Sequence, residues 1–443
     1  MNIKISDHFT YKKLFRFVLP SIMMMIFTSI YGVVDGLFVS NFVGDIPFAA
    51  INLVMPFIMI LGGMGFMIGS GGTALVAKTL GEGDSKRANK YFSIMVEFTI
   101  ILGILLTLVG IVFIKPISYM LGATEAMIAD CVIYGRSVIS FTTAFMLQNV
   151  FQSFFIVAEK PKLGLFVTVG AGVTNMILDA LFIGCFDFGV DGAALATGIS
   201  QCVGGVIPFI YFARKNSSLL RFTPTVPRIM PILKSCANGS SELMNNISMS
   251  IVSILYNFQL LKYLEEDGVS AYGVLMYVQF VFISIYIGYS IGTSPIVGYN
   301  FGANDHAELK NILKKSAIFM GVSGLILSIL AVALSNPMSY IFVGYKKDLF
   351  DLTSRAFRIF APSFIFSGFN IFASGFFTAL NNGAVSAVIA FLRTLVFQCA
   401  SILILPLILG KDGIWISIFV AELFAFILSV LFIVGKRKKY KYF

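Results

Sequence analysis

Charge is scarce in this chain. Only 12% of its 443 residues are Asp, Glu, Lys or Arg, against 58% apolar ones. A soluble domain carries about twice that share of charge, so a water-exposed globular fold is excluded. Histidine is rarer still: His8 and His306 both stand in polar segments, which leaves no zinc set and no histidine proton relay. Five cysteines, Cys131, Cys185, Cys202, Cys236 and Cys399, form no C-x-x-C pair, and the place of four of them in or at the ends of apolar runs points to packing rather than a disulfide framework. A P-loop, a G-x-S-x-G elbow and an H-E-x-x-H pair are also missing, and no polar stretch is long enough to house nucleotide hydrolysis. The sequence therefore predicts no enzyme and no cofactor. It shows no cleavable leader either, since the polar start runs straight into a long apolar run near Leu14.

Long apolar runs are what the chain has instead, with a mean hydropathy of +0.90. They cover residues 14–40, 47–77, 91–114, 131–157, 163–184 and 192–213, and then 236–261, 268–300, 312–335, 355–380, 384–409 and 413–435. Each is roughly 20 to 30 residues, enough as a helix to cross about 30 Å of hydrocarbon and too long and uniform for barrel strands. The two sets of six are copies. At a constant offset of 221, Ala50, Gly71, Gly81, Asp84, Pro116, Ser118 and Tyr119 recur as Ala271, Gly292, Gly302, Asp305, Pro337, Ser339 and Tyr340. Asp130, Ala158, Asp191 and Gly192 recur likewise as Asp351, Ala379, Asp412 and Gly413. An even number of spans per copy gives both copies one orientation. The expected fold is an all-α membrane protein of twelve transmembrane helices, built as two six-helix bundles related by a pseudo-two-fold axis along the membrane normal. The bundles are expected at residues 1–213 and 235–443, joined by a basic, proline-containing linker at 214–234.

The net charge of +10 is a matter of topology. Most of the 32 basic residues fall on the side of the termini: Lys4, Lys12, Lys13 and Arg16, Lys78 to Lys90, Lys160 and Lys162, the linker, Lys310 to Lys315, and Lys436 to Lys441. Loops on the other side hold few, alongside Asp187, Asp191, Glu265, Glu266 and Asp267. By the positive-inside rule both termini are cytoplasmic in a plasma-membrane protein, and the charge is no nucleic-acid patch.

Ionisable residues inside the spans are few, and each costs about 2.5 to 3.5 kcal/mol at the bilayer centre. Asp35 on helix 1, Asp179 on helix 5 and Thr197 on helix 6 lie at one depth, roughly 8 Å below the outer boundary. Asn175 is one turn from Asp179 on the same face. Two carboxylates, an amide oxygen and a hydroxyl form either a site for a hard cation such as sodium or a carboxyl pair that shares a proton. No other metal site is expected. At an offset of 221 the four become Tyr256, Val396, Ala400 and Ile418, so only the first copy carries the set, which favours a functional role over hydrogen bonding between helices.

Other charges have plainer accounts. Arg393 and Glu422, mid-span on helices 11 and 12, are expected to pair within the second bundle, with a substrate contact at Arg393 as the alternative. Arg136 is expected to anchor the outer end of helix 4 at the interface. Glu97 and Glu242, about 10 Å or less from the cytoplasmic face, either draw a cationic substrate inward or are solvated helix-end acids. Met64 belongs to a cluster with Met23, Met24, Met25, Met55, Met59 and Met67 on helices 1 and 2, a soft wall suited to varied apolar cations unless these side chains simply pack.

These residues carry a resemblance. The segments PSIMMMIFTSIYGVVDGLFVS (Pro20 to Ser40), Asn175-Met-Ile-Leu-Asp179 and Gly192-Ala-Ala-Leu-Ala-Thr197 resemble the multidrug and toxic compound extrusion (MATE) family over essentially the whole chain. The similarity is to the prokaryotic branch related to DNA-damage-inducible protein F and to staphylococcal-type multidrug exporters. It implies a cation site at Asp35, Asn175, Asp179 and Thr197, and export of amphipathic, often cationic, small molecules in exchange for sodium or protons by rocking of the two bundles. The chain is expected to act as a monomer in the bilayer. Two departures stand out: helix 10 has no core acid to partner Glu242 in a second cation site, and Glu159 occupies a turn where relatives often carry glycine. The alternative function is a flippase for lipid-linked anionic precursors, which needs several cavity arginines or lysines where this chain has Arg393 alone.

Overall fold

A computed structural model describes residues 3–43, 45–226 and 228–442, and among them every regular element is a helix. Pro227, one of the linker prolines, lies outside the described residues. The first half contains α1 (Tyr11–Phe42), α2 (Asp45–Gly81), α3 (Ser85–Met120), α4 (Ile128–Ile139), α5 (Thr142–Val157), α6 (Pro161–Asp179) and α7 (Gly189–Ala213). The second contains α8 (Ile229–Gly302), α9 (His306–Val343), α10 (Lys347–Phe360), α11 (Ser363–Ala379), α12 (Gly383–Phe391), α13 (Gln398–Leu409) and α14 (Lys411–Tyr440). A π-helical segment, Ala180–Cys185, continues α6, and another, Leu392–Phe397, joins α12 to α13.

These elements make twelve spans in two six-helix lobes. α4 with α5 forms the fourth span, and α10 with α11 forms the tenth, bent by 50°. Pro362 stands at that bend as the residue before α11, where its ring and missing N–H end a helical hydrogen-bond ladder. The seventh and eighth spans are one 74-residue helix, α8, broken only at Glu265, whose backbone is non-helical at φ 53° and ψ −147°. The turn between those two spans is thus shorter than the 262–267 gap read from hydropathy. The linker is shorter too: helix resumes at Ile229, so residues 229–234 belong to α8.

Several of the residues that recur at the 221-residue offset are structural signposts. Asp84 and Asp305 are the N-caps of α3 and α9, and each carboxylate accepts the N–H three residues on, from Arg87 and from Glu308, at 2.9 Å. Gly81 and Gly302 end α2 and α8. There the two lobes meet in a reciprocal contact. A Cβ on Gly81 would overlap the carbonyl oxygen of Tyr299, and one on Gly302 would overlap that of Lys78, the residue equivalent to Tyr299 in the first half. One helical stretch further along, Gly71 packs on Ser235 and Gly239, and Gly239 packs on Met67. The seam continues to Gly63 beside Asn246, and Ser29 Oγ donates to the Phe280 carbonyl at 3.5 Å. Backbones touching without side chains between them is how apolar helices associate where lipid offers no hydrophobic drive.

Both termini lie at the end of the molecule where this seam is tightest, called here the terminal face. Tyr442 packs on Phe376, Tyr440 on Phe301, and Ile5 reaches the α5–α6 turn. The opposite, distal face is tied by the ion pairs Lys346–Asp267 and Arg355–Asp412. The linker is not a loose tether. Backbone N–H groups of Arg221 and Thr223 donate to Asn89 Oδ1 and Ser93 Oγ at 2.6 and 2.9 Å, and the Thr225 hydroxyl donates to the Glu97 carboxylate at 3.3 Å. Alternate residues of an extended strand thereby meet side chains spaced four apart on one face of α3.

Gly81→Ala is expected to lower the thermal midpoint of the purified protein, because the methyl group forces the lobes apart at a cost of about 1 to 3 kcal/mol. Gly170→Ala, where an added Cβ meets nothing within 4 Å, is expected to be neutral or stabilising. Equal midpoints for the two variants would contradict the seam.

Candidate functional site

Asp35 sits seven residues before the distal end of α1, and Asp179 is the last residue of α6, six before the end of its π-helical continuation. The wider π turn follows Asp179 directly, and such turns recur where a helix must re-aim a side chain. The two carboxyl groups meet within hydrogen-bonding range, and the Asn175 side chain reaches Asp35. Asp179 is fully buried and Asn175 is 2% exposed. Both Asp179 oxygens, Asp35 Oδ1 and Asn175 Oδ1 are buried without a hydrogen-bond partner. Two ionised carboxylates facing each other repel, and a shared proton or a cation between them relieves that repulsion.

The third predicted element is placed differently. Thr197 lies on α7 and its carbonyl accepts the Ser200 hydroxyl at 2.8 Å. Among the described residues no hydrogen bond joins the Thr197 hydroxyl to either acid. Other side chains complete the surroundings instead. Tyr134 of α4, 2% exposed, stands within electrostatic reach of both carboxyl groups. Tyr31, one turn before Asp35 on α1, faces it and hydrogen-bonds Gln148 of α5. Periodicity and charge do not single out these groups in a chain with 46 phenylalanines and 17 tyrosines.

The second lobe shows what the same position looks like when it is satisfied. Tyr256, the counterpart of Asp35, is buried, stacked on Tyr272 with ring centroids 5.2 Å apart, and hydrogen-bonded to Ser417 at 2.6 Å. A neutral, paired hydroxyl replaces an unpaired carboxylate.

The MatE family model matches the chain twice, over residues 20–181 and 243–402, once in each lobe. The chain belongs to the MatE family. Among curated proteins it is 25% identical to the multidrug export protein MepA of Staphylococcus saprophyticus, over 96% of this chain and 93% of that one. Among solved structures it superposes with a TM-score of 0.92, at 22% identity and 98% and 97% coverage, on a multidrug resistance MATE family transporter of the MOP superfamily in its outward-facing conformation. A MOP superfamily transporter from Pyrococcus furiosus, described as having a binding pocket of reversed polarity, superposes at 0.90 with 22% identity over 98% and 97% of the two chains.

The remaining charges of this MatE protein fall into place by their partners. Arg393, within the second π-helical segment, donates through Nε and Nη2 to Glu422 Oε1 at 3.0 and 2.8 Å. Asn370 Nδ2 donates to Glu422 Oε2 at 2.7 Å, and Ser429 donates to Asn370 Oδ1. Glu422 is 2% and Arg393 9% exposed. The pairing expected within the second bundle is present, and it engages the Nε and Nη2 side of the guanidinium. Glu97 is held by the linker through the Thr225 hydroxyl. Arg136 lies in the last turn of α4, near the distal face. Glu242 has no ion-pair partner among the described residues; it lies on α8 between Gly239 and Asn246, both of which touch α2 across the seam. Met64 neighbours Gly63 at the same crossing and is partly buried.

Glu422→Gln is expected to destabilise the protein by about 3 to 5 kcal/mol, because it strands the Arg393 charge, whereas the double replacement Arg393→Met with Glu422→Leu recovers most of that loss. A double-mutant cycle on thermal or denaturant midpoints checks this; a fully additive double replacement would contradict the pairing.

Proposed function

We propose that this protein is a secondary antiporter that exports amphipathic, often cationic, small molecules in exchange for sodium or protons entering at Asp35 and Asp179, with Asn175 beside them. The observation that carries the reading is the buried acid pair, Asp35 and Asp179, with three carboxyl oxygens lacking a donor, in a first lobe whose copy has Tyr256 and Ala400 at the same positions. A cation or proton arriving there neutralises a cost of several kcal/mol, and its entry therefore has the free energy needed to favour one arrangement of the helices over another. Sodium and proton are both compatible with oxygen ligands alone; Thr197 would join only through movement of α7. Membership of the family, and the multidrug export named for its relatives, support the substrate class.

The seam supports alternating access. Lobes held in backbone contact at the terminal face, and tied through Gly81, Gly302, Gly71 and Gly239, describe a state closed on that side, in which Glu242 and Met64 lie where α2 and α8 part. Glu242 would attract a cationic substrate to the base of the cleft. Exchange then requires only that cation and substrate favour opposite states. The protein would work as a monomer, with the terminal face in the cytoplasm, where its lysines and arginines satisfy the positive-inside rule. The flippase alternative loses support from Arg393: its charge is paired with Glu422 through Nε and Nη2, where a pyrophosphate needs several uncompensated cations.

Efflux from proteoliposomes driven by a sodium gradient or by a pH gradient is expected with one of the two in the wild type, and to fall at least tenfold in Asp35→Asn and in Asp179→Asn. Undiminished efflux in both variants would refute the proposal. Orientation has its own test. Cys185 is exposed at the distal face, so a membrane-impermeant maleimide is expected to label it in intact cells and to spare Cys185→Ser; labelling only after permeabilisation would reverse the topology.

A further inference from the structure

The segment ahead of α1 crosses from one lobe to the other. Its Ile5 N–H donates to Glu159 Oε1 of the first lobe at 2.9 Å. Four residues on, Phe9 N–H donates to Glu308 Oε1 of the second lobe at 3.0 Å, and His8 Nδ1 meets Glu308 Oε2 at 2.6 Å. Asn311 Nδ2 donates to the Phe9 carbonyl at 3.0 Å and to Glu308 Oε1 at 2.8 Å, and Lys315 Nζ also reaches that carbonyl. Ile5 and Phe9 are buried at 1% and 0% exposure and plug the terminal end of a core shared by both lobes. Between these anchors the segment borders a pocket of about 330 Å³ lined by Ser6, Asp7, His8, Asn300, Asp305 and Glu308.

From this arrangement we infer that residues 5–9 are the latch of the terminal-side gate, caught by Glu159 on one lobe and by Glu308 on the other. The inference rests on the alternating-access reading, since a latch has a purpose only where the lobes separate. Glu159 belongs to the α5–α6 turn and Glu308 to the first turn of α9, so opening the seam stretches the short segment between them until one catch lets go. Glu159 holds its catch at a conformational cost. Its φ is +57°, a left-handed value that strains any residue with a side chain. Burial raises the Glu159 carboxyl above its ordinary value, against the pull of the Ile5 N–H. Neither the strain nor the burial serves the turn itself, which a glycine would make more easily; both are accounted for by the bond to Ile5.

The linker repeats the device in the opposite sense. It leads into the second lobe and is zipped to α3 of the first, as residues 5–9 lead into the first lobe and are held by α9 of the second. Asn89, Ser93 and the Glu97 carboxylate hold the linker, whereas two carboxylates accept backbone N–H groups of the latch, and charge-assisted bonds of that kind are the stronger ones.

The test follows the terminal-face separation by pulsed electron paramagnetic resonance, with spin labels replacing Lys86 and Lys310 in a background freed of the five native cysteines, in reconstituted full-length protein. Glu159→Gly and Glu308→Ala are each expected to raise the population with the terminal face open by about three- to tenfold, and Glu308→Gln, which keeps an acceptor for Phe9, by less. A merely structural Glu159 would leave the ratio unchanged in Glu159→Gly, since glycine relieves the backbone. Two separations in the wild type with an unaltered ratio in Glu159→Gly and Glu308→Ala would overturn the latch alone. A single separation in the wild type, whatever the cation gradient or substrate, would overturn the alternating-access reading and the latch with it.

Discussion

The whole arrangement depends on an electrostatic debt held in one lobe. Asp35 and Asp179 face each other in a low-dielectric interior where three of their four oxygens find no donor, and where an ionised carboxylate without a partner is among the costliest groups a protein can bury. Most buried polar groups in this protein are settled locally. Serine and threonine hydroxyls bond the carbonyl one turn back, Glu422 is met by Arg393 and Asn370, and Tyr256 is met by Ser417. The acid pair stands apart among the buried groups left without partners because both of its members can carry charge. A site that must acquire charge to be stable is a site that an ion gradient can drive.

The surrounding architecture gives that local event leverage. Asp35 rides on α1 and Asp179 on α6, whose glycine-permitted contact brings Gly172 against Phe27 and Tyr31, so a change at the acids is felt where α1 meets its own lobe. Further along, α1 and α2 form the seam with α8. Rigid lobes joined by backbone contacts move as bodies rather than deform, because packed interiors have discrete arrangements. The segments leading into each lobe are pinned to the other lobe, which makes the terminal face a place where strength of closure can be set by a few hydrogen bonds.

Much of this was legible in the sequence, and the reasons are physical. Hydropathy and the 221-residue offset revealed twelve spans in two copies because the bilayer imposes length and apolarity on every span. The depths of Asp35, Asn175 and Asp179 follow from helical rise alone, and their absence from the second copy marked the set as special. The pair of Arg393 and Glu422 followed from two opposite charges at one depth. What stayed hidden depends on tertiary placement. Tyr134 and Tyr31 carry no charge and are lost among similar aromatics. The Thr225 hydroxyl on Glu97 and the absence, among the described residues, of a hydrogen bond from Thr197 to either acid follow from packing between segments distant in sequence. Glu159 looked like a loop charge because sequence does not show that a residue 154 positions away donates to it.

The central claim is that charge arriving at the acid pair is thermodynamically linked to movement of the substrate. Linkage is reciprocal, so a gradient of transported compound alone must drive the coupling cation the other way. The direct measurement is cation flux in proteoliposomes, by a pH-sensitive dye and by radioactive sodium, after a substrate gradient is imposed with no ion gradient present. The account predicts a counterflux of one of the two cations in the wild type and none in Asp179→Asn. Substrate-driven cation flux that persists in Asp179→Asn, or substrate movement in the wild type without flux of either cation, would contradict it.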